Sequence, residues 1–330
     1  SVFGYFKYKG GVNSVELFFL ILGFIVIIKA TSILVDCASS LALKCKVPKI
    51  LIALTIVAFG TSAPEIGISF SSIASNNDTI AFANVIGSCI VNVFLIIGLG
   101  AIINPLRIKH TTIKKELPLL LIITTSFAIL MLDSLFNPLT SNYFSRSDAL
   151  ILIALFMMFI LYIVQTVRKG NNKEEELVPK YRNIFVIISL LILSLAAISI
   201  SSNLIVDNAQ IIARKLNISE KIITMTVIVI GTSLPELIMT VTSAHKKEFD
   251  MAIGNIIGTN IFNICIVLGL PILIYGGIPL TNYNIIDILA VFLTSLVLFF
   301  FSRSMRVISK KEGFVMISIF IAYYLYLFLV

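Results

Sequence analysis

Two stretches place polar atoms where an apolar chain has little use for them. "VAFGTSAPE" ends at Glu65 and "VIVIGTSLPE" ends at Glu236, each within a run of apolar residues long enough to cross a bilayer. A glutamate in mid-span costs about 2.5–3.5 kcal/mol or more, so Glu65 and Glu236 are read first as functional groups. Thr61, Ser62, Thr232 and Ser233 add hydroxyl oxygens about one turn before each carboxylate. Gly60 weakens the helix, and Pro64 removes a hydrogen-bond donor and clashes with the carbonyl four residues back. The chain is therefore expected to kink or unwind near residues 58–62 and to free backbone carbonyls there. In a bilayer such carbonyls must be satisfied, for example by lining a polar cavity or coordinating a cation. Carbonyl, hydroxyl and carboxylate oxygens are hard ligands, the type that suits Na⁺ and Ca²⁺ and not soft metals.

A second polar stretch follows each of the first two: "NVIGSCIVN" from Asn84 to Asn92, and "NIIGTNIFN" from Asn255 to Asn263. Asn84, Ser88 and Asn92 fall at i, i+4 and i+8, one polar face on an otherwise apolar helix. Gly87 allows a neighbouring helix to come close. Together the four stretches offer two carboxylates (Glu65, Glu236), two amides (Asn92, Asn263) and the hydroxyls of Thr61, Ser62, Ser88, Thr232, Ser233 and Thr259. Ca²⁺ takes about 6–8 oxygens, and two ionised glutamates neutralise one such ion. The competing readings are structural: Ser and Thr in membrane helices often bond back to a carbonyl, and Asn84 and Asn255 suit backbone satisfaction at a helix break equally well. Asp36 and Asp207, near the ends of their spans, are expected to pair or cap, and Lys29 to snorkel or pair.

The elements that must position these groups are membrane helices. Of 330 residues 58% are hydrophobic and only 13% charged, with a mean hydropathy of +1.04, which no soluble globular domain matches. Ten spans are predicted, at about 15–36, 49–75, 79–103, 116–135, 147–167, 183–206, 219–245, 249–276, 282–302 and 311–330. The first reads as a retained span and not a signal peptide, because no small-residue cleavage pattern follows it. The chain also repeats itself: Glu65 and Glu236, Asn84 and Asn255, Asn92 and Asn263, and Asp36 and Asp207 are each 171 residues apart. From Gly60 to Asn92, 12 of 33 positions are identical to their partners, and the matches concentrate on Gly, Pro, Asn, Ser, Thr and Glu, whereas chance similarity between apolar helices would match Leu, Ile and Val. Five spans separate equivalent positions. Five is odd, so the second copy enters the membrane from the opposite side, an inverted-topology repeat whose substrate site is expected where the copies meet. The predicted organisation is a first five-helix repeat at 1–167 with its motif at 57–92, a connector at 168–182, and a second five-helix repeat at 183–330 with its motif at 228–263.

The net charge of +8 does not call for nucleic acid. With the N-terminus outside, the cytoplasmic loops hold 18 of the 25 Lys and Arg and the outer side 6, so the basicity is mostly topology. This predicts both termini outside and "RKGNNKEEELVPKYR" in the cytoplasm, with the lipid bilayer as the main partner. Cys37, Cys45, Cys89 and Cys265 form no CxxC pair, so neither a disulfide framework nor a zinc site is expected.

"GTSAPE…NVIGSCIVN" and "GTSLPE…NIIGTNIFN" resemble the paired alpha repeats of the Ca²⁺/cation antiporter superfamily, most closely those of prokaryotic-type Na⁺/Ca²⁺ exchangers. The resemblance covers nearly the full chain. It implies an all-α membrane protein of ten helices in two inverted halves, with four interior sites where three Na⁺ alternate with one Ca²⁺, and the first and sixth helices sliding past a fixed core. Carried onto this sequence, the ligands it implies are Thr61, Ser62, Glu65, Ser88 and Asn92 in one half and Thr232, Ser233, Glu236, Thr259 and Asn263 in the other. The backbone carbonyls of Ala58 and Val229 join them. Three positions depart from the pattern. Several archaeal and K⁺-dependent relatives have Asp where this chain has Asn263, which disfavours K⁺ cotransport here. Ala83 stands where Gly usually precedes the asparagine, and Val229 where Ala is common.

The expected activity is electrogenic antiport of Na⁺ against Ca²⁺ in the cell membrane, with the two ions as cargo, no organic cofactor, and one chain sufficient. H⁺/Ca²⁺ exchange in the same fold is the nearest rival, since two glutamates can also take protons. A cation channel would need a pore, which channels usually build by symmetry between subunits, whereas this chain carries its symmetry internally. No GxSxG or HExxH is present and His110 and His245 fall at loop edges, so an enzyme is not expected.

Overall fold

A computed structural model describes residues 14–74, 78–132, 142–169, 179–216, 229–280 and 285–329. Nearly all of them are helical, as they must be where no water can satisfy backbone polar groups. The elements run α1 (Ser14–Cys45), α2 (Lys49–Ile52), a π-helical turn (Ala53–Val57), α3 (Ala58–Thr61), α4 (Ala63–Ala74) and α5 (Asp78–Ile90). After a second π-helical segment (Val91–Ile97) come α6 (Gly98–Ile103), β1 (Leu106–Arg107), α7 (His110–Lys114), α8 (Glu116–Leu130), β2 (Tyr143–Phe144) and α9 (Arg146–Lys169). The remainder comprises α10 (Ile184–Lys215), α11 (Val229–Thr232), α12 (Leu234–His245), α13 (Phe249–Phe262), a third π-helical segment (Asn263–Leu268), α14 (Gly269–Tyr275), β3 (Ile278–Pro279), α15 (Ile285–Arg303), β4 (Val307–Ile308) and α16 (Lys310–Leu329).

Among the described residues six helices are long and apolar enough to cross a membrane, and the bent pair Lys49–Thr61 with Ala63–Ala74 makes a seventh candidate. These match seven of the ten predicted spans. Two more coincide with α8 and α16, and the described part of 219–245 is α11 and α12. The helices α1 and α10 each run nine residues past their predicted ends at 36 and 206. These extensions mix polar and small residues with apolar ones, so a hydropathy reading stops short of them. They are tied down at both ends: Lys44 donates to the Arg182 carbonyl, and Lys215 pairs with Glu16 at 2.7 Å.

Burial sorts the helices into centre and periphery. In Phe249–Tyr275 and Ile80–Ile103, 83% and 72% of the span window is buried, against 33% or less in the other four long helices. Of the six long helices, the two most buried therefore carry the asparagine motifs, Asn84–Asn92 and Asn255–Asn263. The long pair α1 and α10 pack along each other on one side, forming an apolar cluster with the first broken helix and α12. The larger cluster joins α5, α8, α9, α13, α15 and α16. Two short antiparallel bridges close the ends of the bundle: Leu106 opposite Ile308, and Tyr143 opposite Pro279.

Asp36 pairs as expected, with Lys180 and with Lys246, each at 2.6 Å, and that hydrogen bond and charge raise the affinity of Lys180 for its proton. Its repeat counterpart Asp207 is exposed, as is Lys29. Lys49 and Glu248 pair at 2.8 Å between α2 and the start of α13.

Candidate cation-binding site at two broken helices

Both GTSxPE motifs break their helices at the same place and in the same way. The chain between α3 and α4 turns at Ser62, φ −81° and ψ 8°, and between α11 and α12 at Ser233, φ −86° and ψ 10°. The first break bends the span by 48°. It falls at the edge of the expected 58–62 window, because Pro64 and Pro235 tolerate the first turn of the following helix but cannot extend the preceding one. One detail departs from expectation. The Ala58 carbonyl is not free: it accepts from Ser62 N at 3.1 Å and from Thr61 Oγ1 at 3.2 Å. A proline deprives the residue four positions before it, which is Gly60 or Gly231, and the Gly231 carbonyl accepts from Ser202 Oγ of α10 at 3.2 Å. For Val229 the structure describes the backbone, which opens α11.

The partner helices widen at the second asparagine of each motif. The π-helical segment after α5 runs from Val91 to Ile97 and takes in Asn92. The one after α13 opens on Asn263 and ends at Leu268. Leu268 and Ile97 are again 171 residues apart. A π-helical segment inside an α-helix inserts a residue into the turn and frequently marks a functional site.

The two motifs meet. Asn92 Nδ2 donates to Asn260 Oδ1 at 2.9 Å, Thr61 Oγ1 lies 3.4 Å from Asn255 Oδ1, and Ser233 Oγ lies 3.5 Å from Ser88 Oγ. Each contact joins the first half to the second. Ala58, Ser62, Glu65, Ser88, Asn92, Glu236, Thr259 and Asn263 have no solvent exposure; Thr61 and Ser233 are also buried, and Thr232 sits at the margin of burial. Asn84 reaches the Glu65 carbonyl at 3.5 Å, which fits the backbone-satisfying role open to it in the sequence.

The buried polar atoms here lack hydrogen-bond partners among the described residues: both carboxylate oxygens of Glu65 and of Glu236, Ser62 Oγ, Thr259 Oγ1, Asn92 Oδ1 and both amide atoms of Asn263. The carboxylates lie close enough for their charges to interact, and the Thr61 hydroxyl approaches Glu236 without closing a hydrogen bond. Native proteins satisfy nearly all buried polar atoms, and a buried carboxylate left alone costs several kcal/mol. The amide nitrogens of Asn255 and Asn260 are likewise without a hydrogen-bond partner among the described residues, but most of the orphans gathered here are oxygens, which fit a hard cation that would complete them.

Asn260 and Asn255 were not among the residues singled out as ligands. Asn255 was visible as one arm of the repeat. Asn260 was not, because its repeat counterpart is Cys89 and a search for matching pairs passes over it. The available signal was an amide in the middle of an apolar helix, one residue beyond Thr259. Close packing supports this geometry. A Cβ on Gly258 would stand 2.7 Å from Leu54 Cα and 2.8 Å from Ala58 Cβ, so α13 presses directly on the backbone of the first broken helix.

A family model described as "Sodium/calcium exchanger protein" matches residues 15–165 and 186–329. The chain belongs to the sodium/calcium exchanger family. Among curated relatives it is 35% identical to the inner membrane protein YrbG of Escherichia coli over 266 residues, 78% of this chain and 79% of that one. It is 29% identical to the sodium/calcium exchanger MaX1 of Methanosarcina acetivorans over 352 residues, 96% and 99% of the two chains. The solved structure of the sodium-calcium exchanger NCX_Mj soaked with Na⁺ and Ca²⁺ superposes with a TM-score of 0.79 at 29% identity, covering 94% of this chain and 97% of that one. Family membership makes this chain a membrane transporter of the exchanger type, with two broken helices meeting at a cluster of unpaired buried oxygens.

Proposed function

We propose that the protein is a secondary active antiporter exchanging Na⁺ for Ca²⁺ by alternating access, with Glu65 and Glu236 as the shared charged ligands. The observation that carries this reading is the pair of fully buried glutamates, one at each repeated helix break, with no hydrogen-bond partner on either carboxylate among the described residues. Ca²⁺ or Na⁺ compensates the same two charges, so one cargo must leave before the other binds, which is the requirement for exchange. Asn92 and Asn263, the hydroxyls of Thr61, Ser62, Ser88, Thr232, Ser233 and Thr259, and the carbonyls of Ala58 and Val229 supply neutral oxygens. Ala58 does so after giving up the Thr61 hydroxyl. With Asn263 in place of a third carboxylate the site carries two negative charges, which match one Ca²⁺ or two Na⁺. An exchange of three Na⁺ for one Ca²⁺ would move one net charge, and about 2.3 kcal/mol per 100 mV of a negative interior would then drive Ca²⁺ export.

The architecture in this proposal is ten membrane helices in two inverted halves, 1–167 and 183–330, joined at 168–182. Both termini lie outside the cell membrane and the connector in the cytoplasm. Uptake of ⁴⁵Ca²⁺ into proteoliposomes loaded with Na⁺ and diluted into Na⁺-free buffer tests the coupling. Uptake that requires internal Na⁺ supports it. Uptake that follows an imposed pH gradient in choline-loaded vesicles would keep the site and make H⁺ the coupling ion, and flux indifferent to any counter-ion gradient would point to a channel.

A further inference from the structure

Between α7, the start of α8 and the end of α15 lies a cavity of about 410 Å³ lined by His110, Ile113, Lys114, Pro118, Phe299, Arg303 and Arg306. Its floor is apolar and its rim carries three permanent cations and a histidine. Position matters: Arg303 ends a membrane-crossing helix, and α7 sits between the helix that ends at Ile103 and the one that begins at Glu116. The cavity therefore opens at one face of the bilayer, at the depth of the lipid headgroups.

The bias of Lys and Arg toward one membrane face accounts for how many cations are found there and not for their convergence on one cavity. Neighbouring cations of the chain are paired or stacked: Lys109 with Asp250 at 2.7 Å, Lys49 with Glu248 at 2.8 Å, and Lys115 over the Tyr162 ring at 6.0 Å. His110, Lys114, Arg303 and Arg306 have no acidic partner among the described residues. Arg303 instead stacks on Phe299, 5.5 Å from the ring centroid, which fixes the guanidinium at the rim. Arg306 is held there by a backbone with positive φ, 58°, locked by the hydrogen bond from Ile108 N to its carbonyl at 2.9 Å. Like charges lining one cavity with no acidic partner among the described residues raise the energy of the site unless an anion neutralises them. The other bridged corner of the bundle, at Tyr143 and Ile278, provides an internal comparison: Arg146 stands near it, and its guanidinium is bonded to the Ile274 carbonyl.

We infer that this cavity binds the phosphate headgroup of an anionic phospholipid, with Lys114, Arg303 and Arg306 on the phosphate and the acyl chains passing over Phe299 and Pro118. Beyond the floor, Ile122 of α8 and Phe300 of α15 are 54% and 58% exposed, an apolar surface continuous with the lipid tails. The bound lipid would clip the α7–α8 corner to the end of α15. The inference depends on the chain spanning a membrane and not on which ions it exchanges.

The sequence contains no tryptophan, so Phe299→Trp gives the full chain a single tryptophan, excited selectively over tyrosine, on the cavity floor. This variant would be reconstituted in phosphatidylcholine bilayers with dibrominated phosphatidylglycerol or dibrominated phosphatidylcholine as quencher. The expected result is a binding constant for phosphatidylglycerol at least about five-fold above that for phosphatidylcholine, the worth of one Lys or Arg at an anionic surface. Lys114→Gln, Arg303→Gln and Arg306→Gln should each reduce the preference and together abolish it. Lys310→Gln with Lys311→Gln, on the same loop side but outside the cavity, should leave it unchanged. Equal quenching by the two lipids, or a preference that survives the single and triple variants, overturns the inference. Displacement of the brominated lipid by millimolar inorganic phosphate would assign the cavity to a free anion and overturn the lipid. The readout is fluorescence, so it stands or falls apart from Na⁺/Ca²⁺ exchange.

Discussion

At Ser62 and Ser233 the chain breaks with nearly the same backbone angles, 171 residues apart, and each break is followed by a buried glutamate whose carboxylate has no hydrogen-bond partner among the described residues. Around those equal centres the two halves differ. In the second half Ser202 of α10 bonds to the Gly231 carbonyl at 3.2 Å. The equivalent hydroxyl in the first half, on Thr31 of α1, is buried and without a hydrogen-bond partner among the described residues. Asn260 of the second half holds the Asn92 amide, while its counterpart Cys89 offers Asn263 no amide to hold. Gly254 stands where the first half has Ala83, and a Cβ there would meet Ala53 Cβ at 2.8 Å. The repeated residues thus define the chemistry, and the unrepeated ones decide which half is held tightly.

The largest effects are expected where the halves are alike. In the proposed site Glu65→Gln and Glu236→Gln would each remove one of the two charges offered to the cargo, and losing one member of a buried charge pair costs about 2–5 kcal/mol. Na⁺-dependent ⁴⁵Ca²⁺ uptake should fall by more than about 100-fold in either variant. The same changes remove an uncompensated buried charge, so the melting temperature in ion-free buffer should rise while the Ca²⁺-induced increase disappears. Normal transport in either variant would remove that glutamate from the site.

Next in size is a contrast between glycines. Gly258→Ala drives a methyl into the Leu54 backbone, and overpacking of a rigid contact costs about 1–3 kcal/mol. At Gly60 the nearest atoms to the methyl belong to the Leu195 side chain, Cδ2 at 2.5 Å, Cδ1 at 2.7 Å and Cγ at 3.1 Å, and a flexible side chain gives way more easily than backbone. A melting temperature several degrees lower for Gly258→Ala and little changed for Gly60→Ala is the expected pattern. Equal losses would mean that α13 and the first broken helix do not press together as described.

What was legible in the sequence follows the same division. Gly, Pro and Glu inside apolar runs are strong local signals, so the break, the carboxylates and the polar face of α5 were read before the structure. The freed carbonyl, that of Gly60 four residues before Pro64, lies inside the expected 58–62 window, whereas the Ala58 carbonyl, named only through the family resemblance, accepts from Ser62 N and Thr61 Oγ1. The π-helical segments carry no signal of their own, because "VNVFLII" and "NICIVL" would be ordinary α-helix in another setting. The last nine residues of α1 and of α10 were lost because hydropathy falls before the helix ends. Asn260 leaves no mark in the repeat, because the first half has Cys89 at the matching position.

Asn260 gives a smaller and more selective effect. Asn260→Ala frees the Asn92 side chain to rotate, and one hydrogen bond is worth about 0.5–1.5 kcal/mol. The apparent KM for Ca²⁺ should rise by roughly 2- to 12-fold with the maximal rate kept, whereas Cys89→Ser should change it by less than about two-fold. A loss of maximal rate with unchanged KM would make Asn260 a packing residue.

The smallest effect separates the halves most sharply. If inverted halves trade local arrangements between access states, the bond from Ser202 to Gly231 breaks in the opposite state, and Thr31 takes up the equivalent bond to Gly60. Ser202→Ala then removes about 1 kcal/mol from the state described here and nothing from the other; Thr31→Val does the reverse. A shift of that size changes the population ratio of two states about five-fold, and apparent affinity scales with the fraction of the competent state. In vesicles of uniform orientation, the ratio of Ca²⁺ KM values measured from the two faces should move in opposite directions in the two variants. Movement in the same direction would mean that the Ser202 bond is a fixed strut. In that case the difference between the halves would be permanent, and not a mark of the state in which the protein is seen.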